Sequence, residues 1–168
     1  WMLYVQKGVF KLKPEMYSEY SNIFNTFSSE VVQPRVLEFT KVVSGFLSPG
    51  FSVADVGGGT AYYTAKLMAM VPGLTLTFVE PSSDMMEIAK KVLPDNALCL
   101  QSGIEESIDT MGQQDMFVFL RSLYSFHSDM ESYRALARKL FDKTKNNGKI
   151  AILEMPGKYA IEGIKEGG

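Results

Sequence analysis

The chain has 168 residues, 46% of them hydrophobic and 21% charged, enough apolar material for one ordinary core and too much for a disordered polymer. Its 17 basic and 19 acidic residues leave a net charge of −2, with no basic cluster longer than Lys11 to Lys13, so no nucleic-acid partner is expected. One cysteine excludes an internal disulfide, one cysteine with one histidine argues against a metal site, and no run approaches the ~18 apolar residues of a membrane span or precedes the first charges as a signal peptide, so the expected setting is the reducing cytoplasm, away from membranes.

Two helix-like segments come first. Residues 15–28 place Met16, Tyr20, Ile23, Phe24 and Phe27 on one apolar stripe, and residues 31–47 do the same with Val36, Leu37, Phe39, Val43 and Phe46. Ser48, Pro49 and Gly50 stop the second. The texture then changes to apolar runs at 51–56, 74–79, 97–100, 116–120 and 149–155, separated by helix-compatible segments at 60–70, 83–92, 104–108 and 130–145. Ser82 or Ser83 is placed to cap the helix that follows, and Asn147-Gly148 predicts a turn ahead of the last strand. Cys99, within ALCLQS, reads as an inert thiol on a buried strand. Strands that are apolar throughout and alternate with helices predict an α/β fold, a doubly wound, mostly parallel sheet buried on both faces.

The glycine turn in VADVGGGTAYYTAKL, residues 53–67, falls at the end of the first strand, where such sheets bind ligands. A nucleoside triphosphate would want Gly-Lys-Ser/Thr, but no lysine follows until Lys66. A dinucleotide would want G-x-G-x-x-G; Gly57 and Gly59 supply two positions and Tyr62 occupies the third, where a large ring pushes helix and strand apart. Lys66 is also the only cation between Val42 and Ala89. A nucleoside whose charge is not phosphate fits better. Asp55 ends the first strand and Glu80 the second, and two carboxylates beside a loop with no cation of its own suit a cationic ligand with a ribose diol.

VADVGGGTA resembles the first motif of the class I S-adenosylmethionine-dependent methyltransferases, an acidic residue followed by x-G-x-G-x-G, with Ala61 in place of the last glycine. TFVEPSSDMMEIAKK resembles the second motif, LQSGIEESI the adenine-edge segment, DMFVFLRSLYSFHSD the fourth motif and NNGKIAILEMPG the fifth strand and its turn. The resemblance covers residues 50–156 and implies a Rossmann-like sheet of order 3-2-1-4-5 with N-terminal helices, forming one domain over 1–168 in which 50–156 is the cofactor core and 1–48 a helical lid. It implies S-adenosylmethionine as cofactor, held by Asp55, Gly57, Gly58, Gly59, Glu80, Pro81, Met85, Gly103, Ile104, Glu105 and Arg121. Glu80 would grip the ribose and Met85 pack on the adenine. Gly103 stands where the family often carries aspartate, so the backbone of Ile104 or the side chain of Glu105 would read the adenine edge.

Each assignment has a structural alternative. Asp55 could cap the neighbouring helix, Glu80 could be a solvated strand end, and Met85 a core residue. Arg121 would meet a substrate carboxylate or, structurally, Glu80 or Asp115. Past the fourth strand, Ser122 could cap a turn, Tyr124 could pack, and His127 has a suitable pKa for a general base or is a plain loop residue. Tyr17 and Tyr20 would lie on the lid. The implied activity is methyl transfer to a small-molecule acceptor by in-line displacement; an inactive scaffolding subunit and a nucleotide-dependent oxidoreductase are the rivals. The family sheet has two strands beyond the fifth, so the expectation is a longer natural chain or a homodimer covering the edge at Ile150 to Met155.

Overall fold

The computed structural model describes residues 33–123 and 130–153. The helix expected at 15–28, with Tyr17 and Tyr20, and the segment carrying Tyr124 and His127 lie outside the described residues.

Helix α1 spans Gln33–Ser44 and leads into strand β1, Ser52–Val56. Then come α2 (Tyr62–Met70), β2 (Thr75–Val79), α3 (Ser83–Lys90), β3 (Leu98–Leu100), α4 (Ile104–Ser107), β4 (Gln114–Leu120), α5 (Met130–Lys143) and β5 (Thr144–Leu153). The strands form one parallel sheet in the order β3-β2-β1-β4-β5, the order implied by the family resemblance.

Period-two alternation along buried strands sends successive side chains to opposite layers. On one face, Ala54, Val56, Val79, Phe117 and Phe119 pack with Ile104, Ile108, Met111, Leu136 and Leu140 from the α4 and α5 side. On the other, Val53, Met116 and Val118 meet Val36, Val43, Tyr63 and Leu67 of α1 and α2, while Leu76 and Phe78 meet Met86 and Ala89 of α3. Phe78, Phe117 and Phe119 are fully buried, each contributing about 1.5–3 kcal/mol of apolar transfer. Asp55 follows Ala54 and so shares a face with Val53 and its register partner Phe78, toward α2.

Three local expectations change. The Asn147-Gly148 turn is not ahead of the last strand but inside it, as a bulge. Gln114 pairs with Thr144 and Met116 with Lys149, so the chain between them protrudes, Asn147 taking φ 67. A Cβ on Gly148 would stand 2.6 Å from Thr144 Cγ2 and 2.9 Å from the Lys145 carbonyl oxygen, which leaves no room for another residue. Strand β4 also starts two residues early because Asp115 is recruited into it: its Oδ2 accepts from the Ser52 N–H at 2.7 Å and from Lys145 Nζ at 2.7 Å.

Cys99 is the third change. It lies on the edge strand β3, beside the 52% exposed Leu98, and is only partly buried. An apolar run of three residues does not distinguish a central strand from an edge. At the other edge, β5 pairs only with β4 among the described residues, and Ile150 and Ile152 line an apolar groove with Phe119, Leu136 and Leu140.

Candidate functional site

Helix α2 begins at Tyr62 rather than at residue 60, because Thr60 and Ala61 belong to the glycine turn. Gly57 and Gly59 have φ values of 70 and 59, the left-handed region that glycine enters at no steric cost. Ala61 follows them there at φ 61, so the position where the family motif carries its last glycine still has a glycine-like backbone. Gly58 serves packing: a Cβ there would stand 2.2 Å from Phe78 Cε2 and 2.8 Å from Asp55 Oδ2.

The amides of this turn point inward. Gly57 and Gly58 N–H both donate to the Val79 carbonyl, at 2.8 and 3.3 Å, and Gly59 N–H donates to Glu80 Oε2 at 2.9 Å. A phosphate cradle needs such amides free and converging on the ligand. This turn spends them on its own strand neighbours. Lys66, the one nearby cation, sits 4.8 Å over the Tyr62 ring. The geometry therefore removes the basis for triphosphate or pyrophosphate binding and leaves the non-phosphate nucleoside.

Glu80 stands one residue beyond β2 and is buried, its Oε1 accepting from the Ser82 N–H at 2.8 Å. Both carboxylate oxygens are thereby fixed and each keeps a free lone pair for a diol. Burial raises the pKa of Glu80 above its ordinary value, and the two backbone N–H donors partly offset the rise. Glu80 is thus no solvated strand end.

Asp55 is buried and only half satisfied. Oδ2 accepts from the Thr64 hydroxyl in the first turn of α2, while Oδ1 has no hydrogen-bond partner. Desolvation, against the Thr64 bond and with the charge of Glu80 nearby, pushes its pKa from 3.8 up to about 7. One oxygen thus bonds a side chain of α2 and not the backbone amides that the capping alternative requires. The other is left for a ligand.

Met85 is buried in the first turn of α3, its Sδ 3.7 Å from where a Gly59 Cβ would stand, so it closes the turn from the α3 side. Ser82 caps that helix, its Oγ accepting from the Met85 N–H. Pro81 lies between Glu80 and this cap. Gly103 caps α4 without a side chain, Glu105 Oε2 lies 3.1 Å from where a Gly103 Cβ would stand, and the Ile104 side chain is core, so Ile104 has only its backbone to offer a ligand. At the end of β4, Ser122 Oγ donates to the Val56 carbonyl at 2.6 Å, joining the β4 end to the glycine turn. Arg121 forms neither expected bridge: Asp115 bonds Lys145, and Glu80 holds two backbone amides.

Two participants escaped sequence reading. Thr64 carried a signal, a hydroxyl in the helix turn after the acidic strand end. Tyr63 carried none. It is buried beside Phe39, and its hydroxyl has no partner; desolvation first, and Asp55 second, raise its pKa. Among the described residues no group of three or more His, Cys, Asp or Glu side chains could hold a metal, and no helix is long and apolar enough to cross a membrane.

No family model matches the chain. It is 35% identical to an uncharacterized methyltransferase of Bacillus licheniformis over 106 residues, 62% of this chain and 47% of that protein. It is 22% identical to the malonyl-[acyl-carrier protein] O-methyltransferase of Priestia megaterium over 144 residues, 86% of this chain and 48% of that protein. The chain spans about half the length of these curated relatives. Among solved structures, the plantazolicin methyltransferase BpumL, in complex with a desmethylPZN analog and SAH, superposes with a TM-score of 0.69 at 20% identity, covering 90% of this chain and 57% of that one. The DhpI-SAM-HEP complex gives 0.68 at 15% identity, covering 97% and 73%. The sheet order and these superpositions give the chain the Rossmann-like fold of the solved methyltransferases, and over the motif series along β1 to β5 its sequence is similar to curated methyltransferases.

Proposed function

We propose that the chain binds S-adenosylmethionine and transfers its methyl group to a small-molecule acceptor, in the cytoplasm. The observation that carries this reading is the pair of buried carboxylates, Asp55 and Glu80, at the ends of neighbouring strands beside a turn whose amides face inward. The residues present fit the cofactor. Asp55 Oδ1 is an unpartnered buried acceptor suited to a cationic group, Glu80 keeps lone pairs for a ribose diol, and Met85 offers a polarizable apolar surface to a base.

When bound, S-adenosylmethionine supplies a methyl group on a sulfonium, a good leaving group. The chain's own contribution is then orientation and exclusion of water, which require rigid strand ends more than a catalytic dyad. Tyr124 and His127, on the segment after β4, are the candidates for taking a proton from an acceptor that arrives protonated. BpumL is named a plantazolicin methyltransferase and the Priestia megaterium relative a malonyl-[acyl-carrier protein] O-methyltransferase; neither is named for a nucleic-acid acceptor, which supports a small acceptor group here.

Titration calorimetry of S-adenosylmethionine and S-adenosylhomocysteine tests the reading. Micromolar binding, about −8 kcal/mol, is expected for the wild type. Glu80→Ala should weaken it at least about tenfold, through loss of charge-assisted bonds and of the Gly59 anchor. Absence of binding by a folded protein would sink the proposal and leave the scaffold alternative.

A further inference from the structure

The crevice of a doubly wound sheet opens where strand order reverses, here between the ends of β1 and β4. Asp55, Glu80 and the glycine turn fill its β1–β2 side. A second reactant must therefore lean on the β4–β5 side, and among the described residues Arg121 is the charged residue just past the end of β4. Its backbone is held at φ 56, a conformation that costs a non-glycine residue about 1 kcal/mol. Two bonds keep it so: its N–H donates to the Leu153 carbonyl at 2.7 Å, and the adjacent Ser122 hydroxyl is tied to Val56. Glycine or asparagine would sit there with less strain, yet the position carries a half-buried arginine with no ion pair to a described residue.

We propose that Arg121 is a specificity-determining residue that binds a carboxylate on the methyl acceptor, so that the acceptor is a small carboxylic acid rather than a neutral molecule. This rests on the methyltransferase reading above. The guanidinium fork matches a carboxylate with two parallel N–H donors. A monoanion is favoured over a phosphate dianion because Lys66 is engaged with Tyr62 and, among the described residues, no second cation stands at the β4 end. The cofactor side is acidic and the acceptor side carries one positive charge, so the two ligands are sorted by sign.

The experiment titrates benzoate, and benzamide as its neutral counterpart, into the full chain saturated with S-adenosylhomocysteine, for wild type, Arg121→Gln and Arg121→Lys. Saturable benzoate binding is expected in the wild type, with benzamide weaker. Arg121→Gln should weaken benzoate about ten- to hundredfold and benzamide not at all, with Arg121→Lys intermediate and S-adenosylhomocysteine affinity within about twofold throughout. Equal binding of acid and amide, no benzoate binding, or an unaffected Arg121→Gln variant overturns the proposal. So does a tenfold loss of S-adenosylhomocysteine affinity in Arg121→Gln, since the arginine would then read the cofactor's own carboxylate. Failure of the wild type to bind S-adenosylhomocysteine at all is a different result: it strikes the methyltransferase reading itself.

Discussion

Gly58→Ala should be among the most destabilising single substitutions in the chain. The added methyl would overlap the Phe78 ring at 2.2 and 2.6 Å and press on Asp55 Oδ2 at 2.8 Å. The ring cannot retreat: Phe78, the penultimate residue of β2, is fully buried among Leu76, Met86 and Ala89. Overpacking a closed core costs about 1–3 kcal/mol, and here a carboxylate is displaced as well, so a loss of about 3 kcal/mol and a fall in Tm of roughly 6–12 °C are expected. Phe78→Leu in the same chain should recover part of the loss, because it removes the atoms that are struck. Thermal unfolding of the four corners of this double-mutant cycle measures both effects. A Gly58→Ala protein as stable as the wild type would show that the turn is not packed as described.

Asp55→Asn should make the ligand-free protein more stable at pH 8, while abolishing its site. The folded-state pKa of Asp55 is about 7 against 3.8 in an unfolded chain. Below the lower value both states hold the proton. Between the two, the unfolded chain releases it and the folded chain keeps it, so stability falls as pH rises, and above 7 the full cost is present. A shift of this size corresponds to roughly 4 kcal/mol. The amide removes the ionisation and keeps an acceptor for Thr64, so a gain of about 2 kcal/mol at pH 8 and almost none at pH 4 is expected. Urea unfolding at both pH values tests this; a wild type whose stability climbs from pH 5 to pH 8 would contradict it. A cationic ligand favours the ionised carboxylate, so S-adenosylmethionine should bind the wild type more tightly as pH rises from 6 to 8.

Most of the sheet was legible because parallel strands buried on both faces carry runs such as MFVFL, with no polar alternation to blur them. What misled was local. Asn147-Gly148 has turn chemistry whether it ends a loop or bulges a strand, and only the partner register tells which. ALCL is equally apolar at an edge or a centre. In the site, Asp55, Glu80 and the glycines stood out because strand ends followed by glycine or proline leave few uses for a carboxylate. The packing demand on Gly58 is invisible in the sequence, because the neighbour a Cβ would strike, Phe78, lies 20 residues away on another strand. Tyr63 looked like any aromatic on a helix, since the electrostatic pairing with Asp55 exists only after folding.

The peptide group between Val56 and Gly57 is gripped from both sides. Its N–H reaches the Val79 carbonyl on β2 at 2.8 Å, and its C=O receives the Ser122 hydroxyl from beyond β4 at 2.6 Å. One rigid plane is thereby riveted to three strands at the point where the sheet divides. In-line displacement tolerates little lateral error between donor and acceptor. That plane ties the two halves of the crevice to each other, so a donor and an acceptor bound on either side of it would share one rigid reference.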